Sequence, residues 1–163
     1  MKYNLLDNSY IFMNESITNA RRAKRVSSYW AFAILHFIQG LKLLLKHLLE
    51  TEHSCLIYEN IDNQLNTATL KQALERLNSI TSIDISESEI RIIRRASSLR
   101  NKVVHHEYEL NLEHFKSVYL QLFEFIHHFH TKHLDSELHD HINEKLWRTE
   151  AQLLAVFREE SVT

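Results

Sequence analysis

The sequence has no proline, one glycine (Gly40) and one cysteine (Cys55). With no proline nothing interrupts a long helical run, and with one glycine the turns that need such a residue are scarce, so an all-α fold is expected. A Gly-rich phosphate loop and the nucleophile elbow of a serine hydrolase are excluded for the same reason. One cysteine allows no intrachain disulfide and no cysteine-based zinc finger, which suits a reducing cytoplasm; Cys55 reads as a small core residue. A charge excess is missing too. The formal net charge is −2 with histidines neutral, so no global basic field advertises nucleic-acid binding and only a local patch is open to it. No uninterrupted apolar run follows Met1-Lys2-Tyr3-Asn4, so no signal peptide is expected. The most apolar stretch, Tyr29 to Leu49, is broken by His36, Gln39, Lys42, Lys46 and His47 and is not read as a membrane span.

What the chain does have is 44% hydrophobic residues over 163 positions, enough for one ordinary core. Apolar spacing divides it into six helices. The first follows a loose lead-in over residues 1–7, is capped by Asp7, Asn8 or Ser9, and runs to about Val26 with Phe12, Ile17, Ala20 and Ala23 inward. Its end carries Arg21, Arg22, Lys24 and Arg25, cations that suit a helix C-terminus, with phosphate contact as the other reading. The second starts after Ser27 or Ser28 and reaches about Glu52. It repeats Trp30, Ile34, Phe37, Leu41, Leu44, Leu45 and Leu48 at spacings of three and four, the pattern of the central core helix, with Lys42 and Lys46 on its wetter side.

Glu52 to Asn63 loses this periodicity and reads as a loop. Thr67 or Thr69 caps a third helix reaching about Asn78. Ser86 and Glu89 read as a capping box for the fourth. Its core face holds Ile92, Ala96, Leu99 and Val103; Arg94, Ser98, Asn101, His105 and Tyr108 fall on the far side. The fifth, from about Asn111 to Lys132, carries Leu112, Phe115, Tyr119, Leu122, Ile126 and Phe129, aromatics that read as core. The sixth, from about Ser136 to Glu159, shows Leu138, Ile142, Leu146, Leu153 and Phe157. Thr149 and Glu150 interrupt its stripe, so it docks on the bundle, on another subunit, or partly on both.

The end of the fourth helix concentrates chemistry. Arg100-Asn101-Lys102-Val103-Val104-His105 puts a permanent cation, an amide and a titratable imidazole within six residues. Those are tools for a phosphodiester: a guanidinium grips two phosphate oxygens at once, and imidazole takes or gives a proton near neutrality. Residues five apart on a helix stand about 140° apart and some 7.5 Å along the axis, so Arg100 and His105 do not converge on one continuous helix. Either the helix breaks near His105 or a twofold partner supplies the second member. Asn101 and His105, four apart, share a face on which Asn101 can orient the imidazole or bond a phosphate; Arg94, seven before Asn101, extends the grip. The bland alternative pairs Arg100 with Glu107 or another acid and lets His105 end the helix favourably.

The run Leu99-Arg100-Asn101-Lys102-Val103-Val104-His105 resembles the Arg-x4-6-His pattern of the HEPN family, including the Asn often found after the Arg. The run from Gly40 to Leu49 looks like that family's second-helix core, and Glu52-His53-Ser54-Cys55-Leu56-Ile57 resembles the segment that follows in some members. The resemblance covers roughly residues 8–133. Lys42 stands where many relatives carry an acid, which puts any role of that acid in doubt here.

The resemblance implies a HEPN-like up-down bundle of four to five helices over residues 1–134, with an additional C-terminal helix over 135–163 packing on the bundle or on a partner subunit. It implies a cytoplasmic homodimer whose facing motifs form a metal-independent endoribonuclease, in phage defence or a toxin–antitoxin or stress response. RNA is the substrate, an antitoxin or nucleotidyltransferase the further partner, and neither cofactor, metal nor membrane is involved. On this resemblance Arg100, Asn101 and His105 are catalytic, and Arg94, Lys102 and His106 bind substrate. Tyr108 is a candidate modification site, because Arg-x5-His ending at His106 with Tyr108 two residues on echoes the His-x-Tyr variant modified by a partner nucleotidyltransferase. The aligned Asn-Lys-x-x-His favours His105; on a continued helix His106 falls nearer the core edge. Family members that have lost cleavage suggest the alternative, a noncatalytic module binding RNA, a nucleotide or a protein.

The chain also holds 12 histidines. His127, His130 and His133 drift about 60° per step around a helix, poorer geometry than the i, i+4 pair of a zinc helix. With His128, His139 and His141 they read as exposed or interface histidines rather than metal ligands.

Overall fold

The computed structural model describes residues 1–162, with the side chains of all but positions 149, 157, 158 and 160–162. Phe157 and Thr149, read above as parts of the last helix's pattern, therefore lie outside the described side chains. Six α-helices and no strand are found among the described residues. Helix α1 (Leu5–Ala23) starts earlier than expected, because Asn4 rather than Asp7, Asn8 or Ser9 is the cap: its side chain accepts the Asp7 N–H at 2.7 Å. That register lets Leu6 pack against the core and leaves Asp7 in the first turn, where a carboxylate meets the positive end of the helix dipole. Helix α2 (Tyr29–Glu52) follows a short turn, with Ser28 making no side-chain cap bond.

Helices α3 (Leu70–Ile80) and α4 (Glu87–His105) both open on complete capping boxes, Thr69 with Gln72 and Ser86 with Glu89. Asn111 caps α5 (Leu112–His133). Short 3₁₀ turns occupy Ser54–Ile57 and Leu138–His141, and the second delays α6 (Glu144–Val162) beyond its expected start near Ser136.

Helix α2 lies at the centre. Ile34, Phe37, Leu41, Leu44 and Leu45 are all buried. By length and composition it would also span a bilayer, but 67% of its most apolar window is inside this bundle. Helix α1 runs antiparallel beside it, for Ser9 donates to the Gly40 carbonyl at 2.7 Å and Ser16 to the Ala33 carbonyl at 2.5 Å. From the other side α5 stacks Tyr119 on Phe37 and sets Phe123 tilted against it, with ring centroids 5.1 and 5.5 Å away. Helices α3 and α4 pack on what remains of α2, and α4 also on α5.

Three polar contacts were invisible to the periodicity. Lys46 is buried rather than on a wet side, because the segment after the 3₁₀ turn folds across it and its Nζ donates to Thr67 Oγ1 at 2.6 Å. Burial, and then the charge of Lys42, lower its pKa to about 8. Arg76 holds that same segment through the carbonyls of Leu56, Tyr58 and Glu59, at 2.6, 2.5 and 3.0 Å. Glu150, on the inner face of α6, is fully buried and accepts a hydrogen bond from the Tyr119 hydroxyl at 2.8 Å. Burial pushes its carboxyl up to about 7, against the opposing pull of that hydrogen bond and of Lys24.

The segment leading into α6 is held by side chains of α1. Asn14 donates to the His141 carbonyl at 3.0 Å and accepts the Asn143 N–H at 2.9 Å. The Tyr10 ring stacks on His141 with centroids 4.1 Å apart, and its hydroxyl lies 2.7 Å from His130 Nε2. His130 is thus buried within the bundle, where the spacing suggested an exposed or interface position. Burial, and then nearby His141, hold its pKa down at about 4, so near neutrality it is an uncharged imidazole.

Two outcomes follow. A Cβ at Gly40 would stand 3.0 Å from the Met13 Cγ and 3.2 Å from the Ser9 carbonyl oxygen. Alanine gains about 1 kcal/mol in helix propensity, but overpacking a filled contact costs about 1–3 kcal/mol. Gly40→Ala should therefore lower the urea-unfolding free energy by about 1 kcal/mol; a more stable variant would mean that Met13 simply swings aside. For Glu150, a folded-state pKa of about 7 above the ordinary 4.5 means that stability is intact below pH 4.5 and falls as pH rises towards 7. Glu150→Gln should match wild type in acid and exceed it at pH 8 by up to roughly 3 kcal/mol, as read by unfolding at both pH values.

Candidate active site

Helix α4 stops at His105 for a physical reason. Its buried residues end with Leu99, and Glu107 and Glu109 would otherwise stand at the negative end of the helix dipole. The chain turns extended at His106 (φ −136°, ψ 164°), whose N–H still bonds the Lys102 carbonyl at 3.0 Å, and runs out to the Asn111 cap of α5. Between the last turns of α4, this connector and the start of α5 lies an open cleft of about 820 Å³. Of the residues picked from the sequence, Arg94, Asn101, Lys102, His106 and Tyr108 line it; Arg100 and His105 do not.

Because the helix ends, His106 is not carried to the core edge, as a continued helix would require. It is exposed and faces the cleft. His105, the last helical residue, is exposed beside it. Arg100 is half-buried and donates through Nη1 to Asn101 Oδ1 at 3.0 Å, so the Asn101 carbonyl serves the guanidinium rather than the imidazole. Arg100 makes no ion pair among the described residues, with Glu107 or any other acid. Arg94 pairs with Glu87 at 3.6 Å while both side chains stay well exposed, a weak bond that a phosphate can displace. Tyr108, 41% exposed, lays its ring on Phe115 at 6.0 Å.

Sequence reading missed the contribution of α5. His114 and Phe115 line the same cleft, with the buried Phe115 as part of its floor. Their only signal was position, in the first turn of the helix after the motif. The cleft thus gathers two cations, two amides, two imidazoles and a phenol, with Glu107 and Glu109 as opposing charges. Such a set can grip a phosphate ester and move a proton beside it. Elsewhere, no group of three or more metal-binding side chains converges among the described residues.

Comparison with protein-family models, with curated proteins and with solved structures found no match for this chain.

Arg100 and His105 lie outside the buried core and make no ion pair among the described residues. Arg100→Ala and His105→Ala should each change unfolding free energy by no more than about 0.5 kcal/mol. A thermal or urea melt showing a loss several times larger would assign them to the scaffold.

Proposed function

We propose that this chain is a metal-independent endoribonuclease of HEPN type, with the end of α4 as its active site. The observation that carries the reading is the cleft itself: the exposed stripe of α4 and the extended connector bring Arg94, Asn101, Lys102, His106 and Tyr108 together, immediately beside Arg100 and His105. The all-helical architecture and the long buried second helix are consistent with a HEPN-like bundle.

The chemistry is a transesterification. His105 takes the proton of a ribose 2′-OH, the freed O2′ bonds to phosphorus, and the P–O5′ bond breaks as O5′ takes a proton from a cleft imidazole, for which His106 is placed. Arg100 neutralises the charge that builds on the phosphorane oxygens. Since Arg100 and His105 point to different sides of α4, a homodimer with Arg100 of one protomer set against His105 of the other supplies both to one phosphate. Asn101 braces Arg100, and Lys102 and Arg94 hold flanking phosphates. RNA in the cytoplasm, in a defence or stress response, is the substrate that suits this set. Tyr108, exposed at the cleft, is open to modification by a nucleotidyltransferase partner.

One observation favours a second reading, a noncatalytic module that binds RNA, a nucleotide or a protein. Within a single chain Arg100 is tied to Asn101 and away from the cleft where His106 stands.

The deciding experiment incubates the purified chain with single-stranded RNA in EDTA. Cleavage should leave 2′,3′-cyclic phosphate ends and fall by at least about 100-fold in Arg100→Ala and in His105→Ala. Mixing those two variants should restore part of it, since one site of the mixed dimer is whole. RNA bound but left uncut by wild type and His105→Ala alike would establish the binding module.

A further inference from the structure

The densest run of positive charge in the chain lies outside the α4 cleft. Arg21, Arg22, Lys24 and Arg25 sit at the end of α1 and in the turn after it, and they line a separate cleft of about 600 Å³. Leu146 and Gln152 of α6 form its other wall, with Thr18 a turn back on α1. The dipole of a helix end is worth about half a negative charge, far less than four cations. Two acids lie near. Glu15 is 3.8 Å from Arg22, on a half-exposed pair; Glu150, buried on the inner face of α6, feels Lys24. Arg21 and Arg25 pair with no acid among the described residues. Arg22 is further steadied over the Tyr29 ring, 5.8 Å from its centroid.

In a chain of net charge −2, unbalanced cations gathered along a concavity call for an anionic occupant. The shape limits which one. A groove walled by two helices does not admit a flat lipid surface, whereas a strand can lie in it. Guanidiniums set three and four residues apart present themselves to successive phosphates rather than to one small ion, and the exposed side-chain amide of Gln152 offers hydrogen bonds to the sugar–phosphate chain. We propose that this cleft is a second phosphate-binding site, which takes the backbone of a single-stranded nucleic acid through Arg21, Arg22 and Arg25. It stands apart from the α4 cleft, and strand binding here does not depend on whether that cleft cleaves.

The test uses the full chain and a short fluorescent oligodeoxythymidine, which has no 2′-OH and is proof against the transesterification above, so that failure to bind and failure to cleave are read separately. Anisotropy titrations across a range of salt should show wild-type binding that weakens with salt. Arg21→Ala/Arg25→Ala should lose about tenfold in affinity, and its slope of log K against log salt should shrink by roughly 1.4, at about 0.7 per phosphate contact on a single strand. Gln152→Glu, an exposed change on the opposite wall, should weaken binding as well, which a merely solvated end of α1 would not show. Circular dichroism and melting of each variant check the fold, and the two variants alter different helices, so a misfolded one leaves the other decisive. Wild-type affinity and salt slope in both variants would overturn the proposal. So would absence of oligonucleotide binding by wild type, or binding to anionic vesicles alone.

Discussion

Helix α2 is apolar around most of its circumference, and a helix of that kind persists in water only when every side of it is covered. The other elements are placed by this need. Helix α1 approaches so closely that a Cβ at position 40 would press on Met13 and the Ser9 carbonyl, α5 lays its aromatic face on Phe37, and α3 and α4 close what is left. The orientation of α4 follows. With Ile93, Ala96 and Leu99 turned into the core, the opposite stripe has nowhere to go but outward. The exposure of Arg94, Asn101 and Lys102 is thus a by-product of covering α2, available to chemistry without any device of its own.

The C-terminal part of the chain is attached differently. Where α1, α2 and α5 meet through Met13, Phe37, Tyr119 and Phe123, the segment from His130 to Glu150 adds to its buried Leu138 and Ile142 a seam of polar contacts: Tyr10 with His130, Asn14 with the backbone at 141 and 143, Tyr119 with Glu150. Apolar packing is indifferent to pH. The seam is not, because a buried imidazole resists protonation while a buried carboxyl resists ionisation. Stability resting on His130 is lost as pH falls from 6.5 towards 4, and that resting on Glu150 in the opposite direction. This seam is therefore the part of the fold whose strength the surroundings can set.

Local signals were legible in the sequence. Ser86 and Glu89 announce the start of α4, because a capping box is complete within four residues, and of Thr67 and Thr69, both read as caps for α3, Thr69 is the one that caps it. The far-side stripe of α4 could be read off the helical period. The misses over burial share a cause, which is a partner distant in sequence. Lys46 looked wet until Thr67 covered it, and Glu150 looked like an interruption until Tyr119 met it. The site shows the same division. Arg94 and Asn101 could be placed on one face from spacing alone, but the cleft needs His114 and Phe115 from the next helix and the extended path through His106, which no helical wheel contains.

Arg76 holds three consecutive-region carbonyls and no side chain. A guanidinium that grips backbone oxygens fixes the path of the chain while remaining blind to what the chain is made of. Beyond that grip, residues 59–66 are exposed and the chain returns to the core only at Ala68. This excursion is accordingly the place where the sequence is free to drift, lengthen or accept a grafted peptide at little cost to the bundle, provided that Arg76 and the Lys46–Thr67 contact are kept.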